Sequence, residues 1–508
     1  MLHLGHILAA LTDYQPTGNE PEVTSFVVDS REAGPGSVFV AFSGERADGH
    51  AFVADAFARG AIAALVERLP GGDWPVIDTR SRAGEPSPNP SQWAGERAAG
   101  ASPGPSQRAG ERMAGHLSGP SQWAGDWPAG PVLFQVDDTL RALQTVARAW
   151  RAQLDTRVVG ITGSVGKTST KELTAAVLSR RYRTLKSSGN QNNEIGVPLT
   201  LLNLRPEHER AVIEMGMYAQ GEIDLLCNLA RPVIGVVTMI GPVHMERLGS
   251  MDAIVAAKRE LVAALPPEGA AVLNYDDPRV MSMAAHTRAR VFTYGLDAGA
   301  DLWADAIDSM GLDGVKFALH YGDETLTVGV PLLGRHSVHT ALRAAAVGLL
   351  EGLSWDEIIA GLSDNSAQLR LVVGHGPRGS VLIDDTYNSS PDSALAALNL
   401  LADLPGRRIA VLGDMLELGR AEKQAHRVVG RRAADVADLI IAVGPRARIM
   451  GGEALALGMP TDHVYIVEDA PAAVPILEET IQPGDVILIK GSLGMRMDRI
   501  VTALGRMD

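Results

Sequence analysis

Short apolar runs alternate along the chain with stretches whose apolar residues recur every three or four positions. Near the start, "FVVDS", "SVFVAF" and "IAALVE" read as strands. "RVVGIT", "AVIEMG", "VIGVVTMI" and "AAVLNYDDP" do so in the middle, and "VLIDDTY", "RIAVLGDM", "DLIIAVG", "HVYIV" and "DVILIKGS" towards the end. Few of these runs alternate with polar residues, so the strands are expected to be buried on both faces, as in parallel sheet. "HAFVADAFARG", "LRALQTVARAWRAQL" and "SVHTALRAAAVGLLEGL" carry helical spacing, and "MLHLGHILAALTDYQP" reads as an opening helix. "FALHYGDETLTVGVP" reads as an antiparallel hairpin added to the middle sheet. The expected fold class is α/β in three domains: a small α/β domain over 1–137, a central parallel-sheet domain over 138–366 and a Rossmann-like domain over 367–508.

The alternation fails once. From about Ser81 to Pro131 the chain is rich in Pro, Gly, Ser, Ala and Trp, and a unit beginning Pro-Ser-Gln starts at Pro90, Pro105 and Pro120, a 15-residue spacing. A stacking repeat needs an apolar face, and this unit offers at most one Trp, so a disordered insertion is expected. The alternative is a docking segment using Trp93 and Trp123.

Composition narrows the function. A length of 508 residues fits about three domains, and 46% hydrophobic with 21% charged residues allows each a core. A net charge of −14 argues against a nucleic-acid binder or a membrane-surface protein. The single cysteine, Cys227, excludes a disulfide framework and fits the cytoplasm. The N-terminus lacks the basic start and cleavage site of a signal peptide, and no apolar run is long enough to insert in a membrane.

The most informative stretch is "VVGITGSVGKTSTKE", 158–172. The general phosphate-loop pattern wants Gly where this chain has Ile161; the form here is Thr-Gly-x-x-Gly-Lys-Thr. Gly163 and Gly166, with Ser164 and Val165 between them, permit a tight turn with its amides inward. The helix beginning near Lys167 adds its positive end. Lys167 suits the outer phosphates, the Thr168 hydroxyl suits Mg²⁺, and Ser169 continues the first helical turn. Glu214 ends a neighbouring strand, where such proteins often hold Mg²⁺ with an Asp. His244 follows the next strand, and Lys258 lies on the helix beyond. Alone, these two read as a loop histidine and a solvated lysine. Asn274 and the paired Asp276 and Asp277, in "LNYDDP", suit a base or ribose, or equally a turn before Pro278.

Together "TGSVGKTSTKE", "EMG", "HMERLGS", "AAKRELV" and "NYDDP" resemble the Mur ligase family, the ATP-dependent amide ligases of cell-wall precursor synthesis. "LIDDTYNSSPDSALAAL", "VLGDMLELG" and "KGSLGMRMDRIV" are similar to the member that joins D-alanyl-D-alanine to UDP-N-acetylmuramoyl-tripeptide. Residues 28–67 are similar to that family's uridine-nucleotide domain. The resemblance implies ATP and two Mg²⁺ ions as cofactors, and the UDP-tripeptide and the dipeptide as substrates. Lys167 and Thr168 would hold phosphates and the first Mg²⁺. Glu214, His244 and a carbamylated Lys258 would hold the second. Asn274, Asp277 and His336 would contact the nucleotide, and Arg370 and Asp385 would clamp it from the C-terminal domain. Asn388, Ser389, Lys490, Ser492 and Arg496 would serve the dipeptide and the reacting groups. Ser30, Arg31, Gly44, Asp48, Gly49 and His50 would line the UDP site. A monomer is expected.

Two departures stand out. Ser337, followed by His339, occupies the place of the family's adenine-side Asn, and Leu369 precedes Arg370 where Gly is common. The rival readings are a sister ligase adding one amino acid, a P-loop GTPase or kinase-like switch, and a non-catalytic scaffold. No Asn-Lys-x-Asp guanine reader is present.

Overall fold

A computed structural model of the chain describes residues 1–44, 47–80, 116–117, 127–128, 130–364 and 371–505. Most of the repeat segment, and Arg370, lie outside these residues. The chain divides into two compact units: 1–156 with 191–209 and 228–230, and 157–190 with 210–227 and 231–508.

In the first unit a six-stranded sheet has the order β1-β2-β3-β6-β4-β5 and every pairing is parallel. The strands are β1 Ser25–Val27, β2 Ser37–Val40, β3 Ala63–Val66, β4 Val76–Asp78, β5 His116–Leu117 and β6 Val132–Gln135. Strands β2, β3 and β6 are buried at every residue, as their unbroken apolar runs require. The amphipathic helix Thr139–Arg151 starts where the Asp138 side chain accepts from the Arg141 amide. Its Trp150 indole donates to Leu204 O at 2.9 Å. The buried Arg151 guanidinium donates to the carbonyls of Ala230, Leu154 and Thr156, which ties 191–209 and 228–230 to this unit. One finding differs from the expected insertion: His116–Leu117, inside it, pairs with β4. An edge strand offers open backbone groups, and a short extended neighbour satisfies them.

The second unit contains two sheets. The middle one has nine strands in the order β15-β14-β13-β12-β11-β10-β7-β9-β8. They are β7 Arg157–Thr162, β8 Thr184–Lys186, β9 Arg210–Glu214, β10 Ile234–Val237, β11 Ala270–Asn274, β12 Arg290–Gly295, β13 Leu302–Ser309, β14 Val315–Tyr321 and β15 Glu324–Val330. Pairing is parallel through β13 and antiparallel for β13–β14–β15, so the expected hairpin is extended by one strand. Helix Ser337–Leu350 packs on helix Lys167–Leu178. Its buried Ala341, Ala344 and Ala345 let the backbones approach, while Val338 and Leu342 fill the core at about 1.5–3 kcal/mol each.

The third sheet runs β16-β17-β21-β18-β19-β20, with only β16 antiparallel. Its strands are β16 Val372–Gly376, β17 Ser380–Asp385, β18 Arg408–Gly413, β19 Leu439–Val443, β20 Val464–Val467 and β21 Val486–Lys490. Parallel sheets gather ligands at the carboxyl ends of their strands. In the middle sheet that edge carries Thr162, Glu214, Thr238 and Asn274; in the third it carries Asp385 and Lys490.

Candidate active site

The turn after β7 is built from close contacts. A Cβ at Gly163 would collide with the Thr238 hydroxyl, and Gly166 sits at φ 84°, so both positions need glycine. Thr238 Oγ1 donates to Val165 O at 2.6 Å. Ser164 Oγ donates to Gly241 O at 3.0 Å and accepts from Gly241 N at 2.9 Å. These bonds pin the loop to the segment after β10. The first turn of the following helix, Lys167 to Ser169, is left facing a cleft.

Two lysines meet on one carbonyl. Gly163 O accepts from Lys167 Nζ at 2.8 Å and from Lys258 Nζ at 3.0 Å. Lys258 is buried at 1% exposure and makes no ion pair among the described residues. Burial, and then the charge of Lys167, hold its amine well below the usual lysine range. Beside them Thr168 Oγ1 donates to the buried Glu214 carboxylate at 2.7 Å. A hydroxyl and a carboxylate side by side are the hard oxygens a Mg²⁺ ion takes, so this pair fits the expected metal.

His244 bonds a different acid. It adopts φ 55°, and its Nδ1 bonds Glu417 Oε2 at 2.6 Å. Tyr218 packs edge-on at 4.9 Å. Burial lowers the His244 pKa against the pull of Glu417, and Lys258 and Lys167 lower it further. Among the described residues no three His, Cys, Asp or Glu side chains form a metal cluster.

The far wall of the cleft comes from the end of β11, the turn after it and helix Ser337–Leu350. Asn274 Nδ2 donates to Thr238 O at 3.3 Å, and Asp277 Oδ2 accepts from Ile240 N at 2.8 Å. Asp277 also accepts from Arg279 N, so it caps the short helix after β11. His336 lines the cleft, while the Ser337 hydroxyl turns back to Leu333 O at 2.6 Å. His339 Nε2 bonds Asp276 Oδ2 at 2.7 Å. Burial opposes ionisation of Asp276, but the bonds from His339 and Leu296 outweigh it, and its carboxyl stays below the usual range. The buried Tyr294 hydroxyl donates to Thr238 O at 2.8 Å, and Arg343 lies over it.

The third sheet closes the cleft. Lys490 Nζ donates to Asp385 Oδ2 at 2.6 Å and to Asn388 O at 2.8 Å, and is only 2% exposed. Parallel pairing of β17 with β21 aligns these two residues. Asn388 and Ser389 line the cleft beside them; Ser492 lies behind and donates to Ser389 O at 3.3 Å. Arg496 does not join this group. It is exposed, forks onto Asp498 and is absent from the cleft wall. Asp392 reaches the segment after β10: a Cβ on Gly241 would strike its Oδ2. Burial pushes the Asp392 carboxyl up against the pull of Arg279, and Asp277 adds to the rise.

The resulting cleft has a volume of about 1130 Å³. It gathers Ser164 to Ser169, Asn274, Asp277, His336, Asp385, Asn388, Ser389 and Lys490. Gly163, Glu214 and Lys258 sit behind the loop. Asp276, one of the paired acids of "LNYDDP", lines the cleft as well; Thr238, Arg343 and Asp392 also line it and had no signal in the sequence, being ordinary polar residues at a strand end, a helix interior and a helix start.

The expected UDP residues all belong to the first unit. Asp29 caps a turn by accepting from Arg31, and Ser30 is buried while Arg31 is exposed. Gly44 N bonds Ala47 O at 3.0 Å, and Gly49 N bonds Phe42 O at 2.8 Å. His50 is buried, bonding Asp48 through Nδ1 at 2.8 Å and accepting from Glu67 N at 3.0 Å. Both ring nitrogens are engaged, so His50 holds the loop rather than offering a free donor, and Asp48 also pairs with Arg68.

A phosphate-loop sheet whose cleft is completed by a second parallel sheet bearing a lysine–carboxylate pair defines a nucleotide-dependent enzyme of the transferase or ligase kind. Residues 161–348 match the Mur ligase middle domain, 370–493 the Mur ligase glutamate ligase domain and 22–99 the Mur ligase family catalytic domain. The UDP-N-acetylmuramoyl-tripeptide–D-alanyl-D-alanine ligase of Synechocystis sp. is 34% identical over 95% of this chain and 92% of its own length. A crystal structure of MurF from Acinetobacter baumannii superposes with a TM-score of 0.77 at 29% identity, covering 99% of this chain and 98% of that one. MurF from Thermotoga maritima, solved in complex with ADP, gives 0.72 at 25% identity, covering 95% and 97%. The chain belongs to the Mur ligase family.

Proposed function

We propose that the chain uses ATP to join D-alanyl-D-alanine to UDP-N-acetylmuramoyl-tripeptide, forming an amide and releasing ADP and phosphate. The observation that carries this reading is one cleft lined by both the Gly163–Thr168 loop and the Asp385–Lys490 pair of the third sheet. The near full-length relatives that bear this activity support it.

The chemistry must bring an anionic carboxylate to an anionic triphosphate. The γ-phosphoryl group passes to the tripeptide carboxylate, giving an acyl phosphate and ADP. The dipeptide amine then attacks the acyl carbon, loses a proton, and phosphate leaves. Lys167 and the first helical turn hold the phosphates and offset their charge. Thr168 would hold one Mg²⁺, and Glu214, His244 and a carbamylated Lys258 the other; bound there, the ions would neutralise charge on the phosphates. Asn274, Asp277 and His336 face the nucleoside, and Arg370 would meet the nucleotide with Asp385. Asn388, Ser389 and Lys490 lie where the dipeptide enters, with Ser492 behind them, while Arg496 would have to leave Asp498 to meet a dipeptide carboxylate. Ser30, Arg31, Gly44, Asp48, Gly49 and His50 form the region proposed for the UDP moiety. Much of the acceleration then comes from positioning. No described helix is long and apolar enough to cross a membrane, and we place the enzyme in the cytoplasm as a monomer.

The test is phosphate release from ATP in the presence of UDP-N-acetylmuramoyl-tripeptide, with D-alanyl-D-alanine or single amino acids as acceptor. Release only with the dipeptide, with a UDP-pentapeptide by mass, is expected. Release with a single amino acid would move the chain to a sister ligase.

A further inference from the structure

Arg343 is 5% exposed in the middle of the helix Ser337–Leu350, where a guanidinium has no packing reason to be. Its Nη2 donates to Thr340 Oγ1 at 2.7 Å and its Nη1 to Tyr294 Oη at 3.4 Å, both neutral groups. Its Nε is buried with no hydrogen-bond partner among the described residues. Among the described residues no carboxylate lies within ion-pairing distance of it. Arginine cannot shed its proton to escape this position, as a buried lysine can. A buried cation without a counter-charge is costly, and such groups persist where something else supplies the anion.

The position indicates which anion. Arg343 lines the nucleotide cleft, and a Cβ placed on Gly166 would stand 3.2 Å from its Nη2. Gly166 caps the phosphate-loop helix, so the guanidinium flanks the point where that helix begins. We propose that Arg343 is a polyphosphate-binding residue: with nucleotide bound, its Nη edge donates to a phosphate oxygen, and that anion is the counter-charge the described residues do not supply. The inference rests on the nucleotide reading of the cleft and adds a cation from the opposite wall to Lys167 and the helix N-terminus.

The test compares ADP, ATP and adenosine binding to the full chain by calorimetry, in wild type, Arg343→Met and Arg343→Lys, with thermal unfolding in the absence of nucleotide. Removing one partner of a buried charge pair weakens binding by about 30-fold or more, so Arg343→Met should lose at least that for ADP and ATP. Adenosine should bind within about twofold of wild type, because it has no phosphate for the residue to hold. Arg343→Lys, which keeps a charge but not the fork, should fall between. The nucleotide-free melting temperature of Arg343→Met should be no lower than that of wild type, since an uncompensated buried charge is gone. An equal loss for adenosine and ADP would overturn the inference in favour of a base-side role. Unchanged ADP affinity, or a lower melting temperature without nucleotide in both variants, would overturn it in favour of a structural role. Should wild type itself bind neither ADP nor ATP, the nucleotide reading fails with it; binding by wild type and variant alike refutes only the role of Arg343.

Discussion

The two sheet edges that face the cleft treat their cations differently. On the third sheet Lys490 is already paired with Asp385 at 2.6 Å, and the carbonyl of Asn388 takes a second proton. On the middle sheet Lys258 donates to a carbonyl and Arg343 to two hydroxyls, and neither has a carboxylate among the described residues. The third-sheet edge is therefore electrostatically finished before any ligand arrives, and the middle-sheet edge is not. A polyanion completes the second and would only disturb the first. The contrast agrees with the proposal that the phosphates lie against the middle sheet, with Asp385 and Lys490 of the third already fixed in place.

The strongest way to break this contrast is to remove a middle-sheet cation. Lys167→Met should lower dipeptide-dependent phosphate release by about 10²–10³-fold, the scale for losing a group that stabilises developing charge. A variant that retained most of its activity would show that the loop does not hold the reacting phosphate.

Lys258→Ala comes next. The side chain is buried behind the loop, so a carbamate there would act on the metal rather than on substrate. Loss of a group that supports a metal costs about 10- to 100-fold. Millimolar acetate should restore part of that activity in the variant and none in wild type. Full activity without acetate would remove the carbamate from the reaction.

Asp385→Asn should reverse the pattern and show in stability first. It strands the Lys490 ammonium at 2% exposure beside a neutral amide, which costs about 1–3 kcal/mol. The apo protein should melt several degrees lower, while catalysis falls by roughly tenfold as Lys490 loses its fixed position. If Asp385→Asn left the melting temperature alone, the third-sheet edge would not be preorganised and the contrast would fail.

What was legible in the sequence divides along the same line. Gly163, Gly166, Lys167 and Thr168 stand together in the chain because one tight turn followed by one helix makes the site, so a local pattern reports it. Runs such as "VILIK" and "RIAVLG" announce buried strands for the same local reason. Arg343 could not be read that way. It sits in a helix whose other residues have ordinary core spacing, and only folding brings it against Gly166, more than 150 residues earlier in the chain. Asp392 is likewise a first-turn helix acid until the structure sets it against Gly241. In "DGH" the structure adds what spacing could not show: His50 is buried, with one ring nitrogen bonded to Asp48 and the other accepting from Glu67 N. Side chains whose role depends on distant partners leave no spacing to detect.

The smallest expected effect concerns the repeat, and it tests whether the first unit depends on it. Deleting 84–129 removes the strand β5, whose contribution is the pairing of Val76 with His116 and of Ile77 with Leu117. That pairing lies at the sheet edge, and the sheet keeps its other partners for β4, since Val76, Ile77 and Asp78 also pair with β6. A two-residue edge strand contributes roughly 1 kcal/mol or less in cross-strand pairs, which corresponds to a melting shift of about 2–4 °C in a unit of this size. Differential scanning calorimetry should detect no more than that. Turnover and the KM for the UDP-tripeptide should stay within about twofold, because Ser30, Arg31, Gly44 and Asp48 to His50 are all outside the deletion and their bonds are made within 29–68. A tenfold rise in that KM with an unchanged melting temperature would mean that the repeat itself meets the substrate, through Trp93 or Trp123, and that the first unit is completed by residues no local pattern in it reveals.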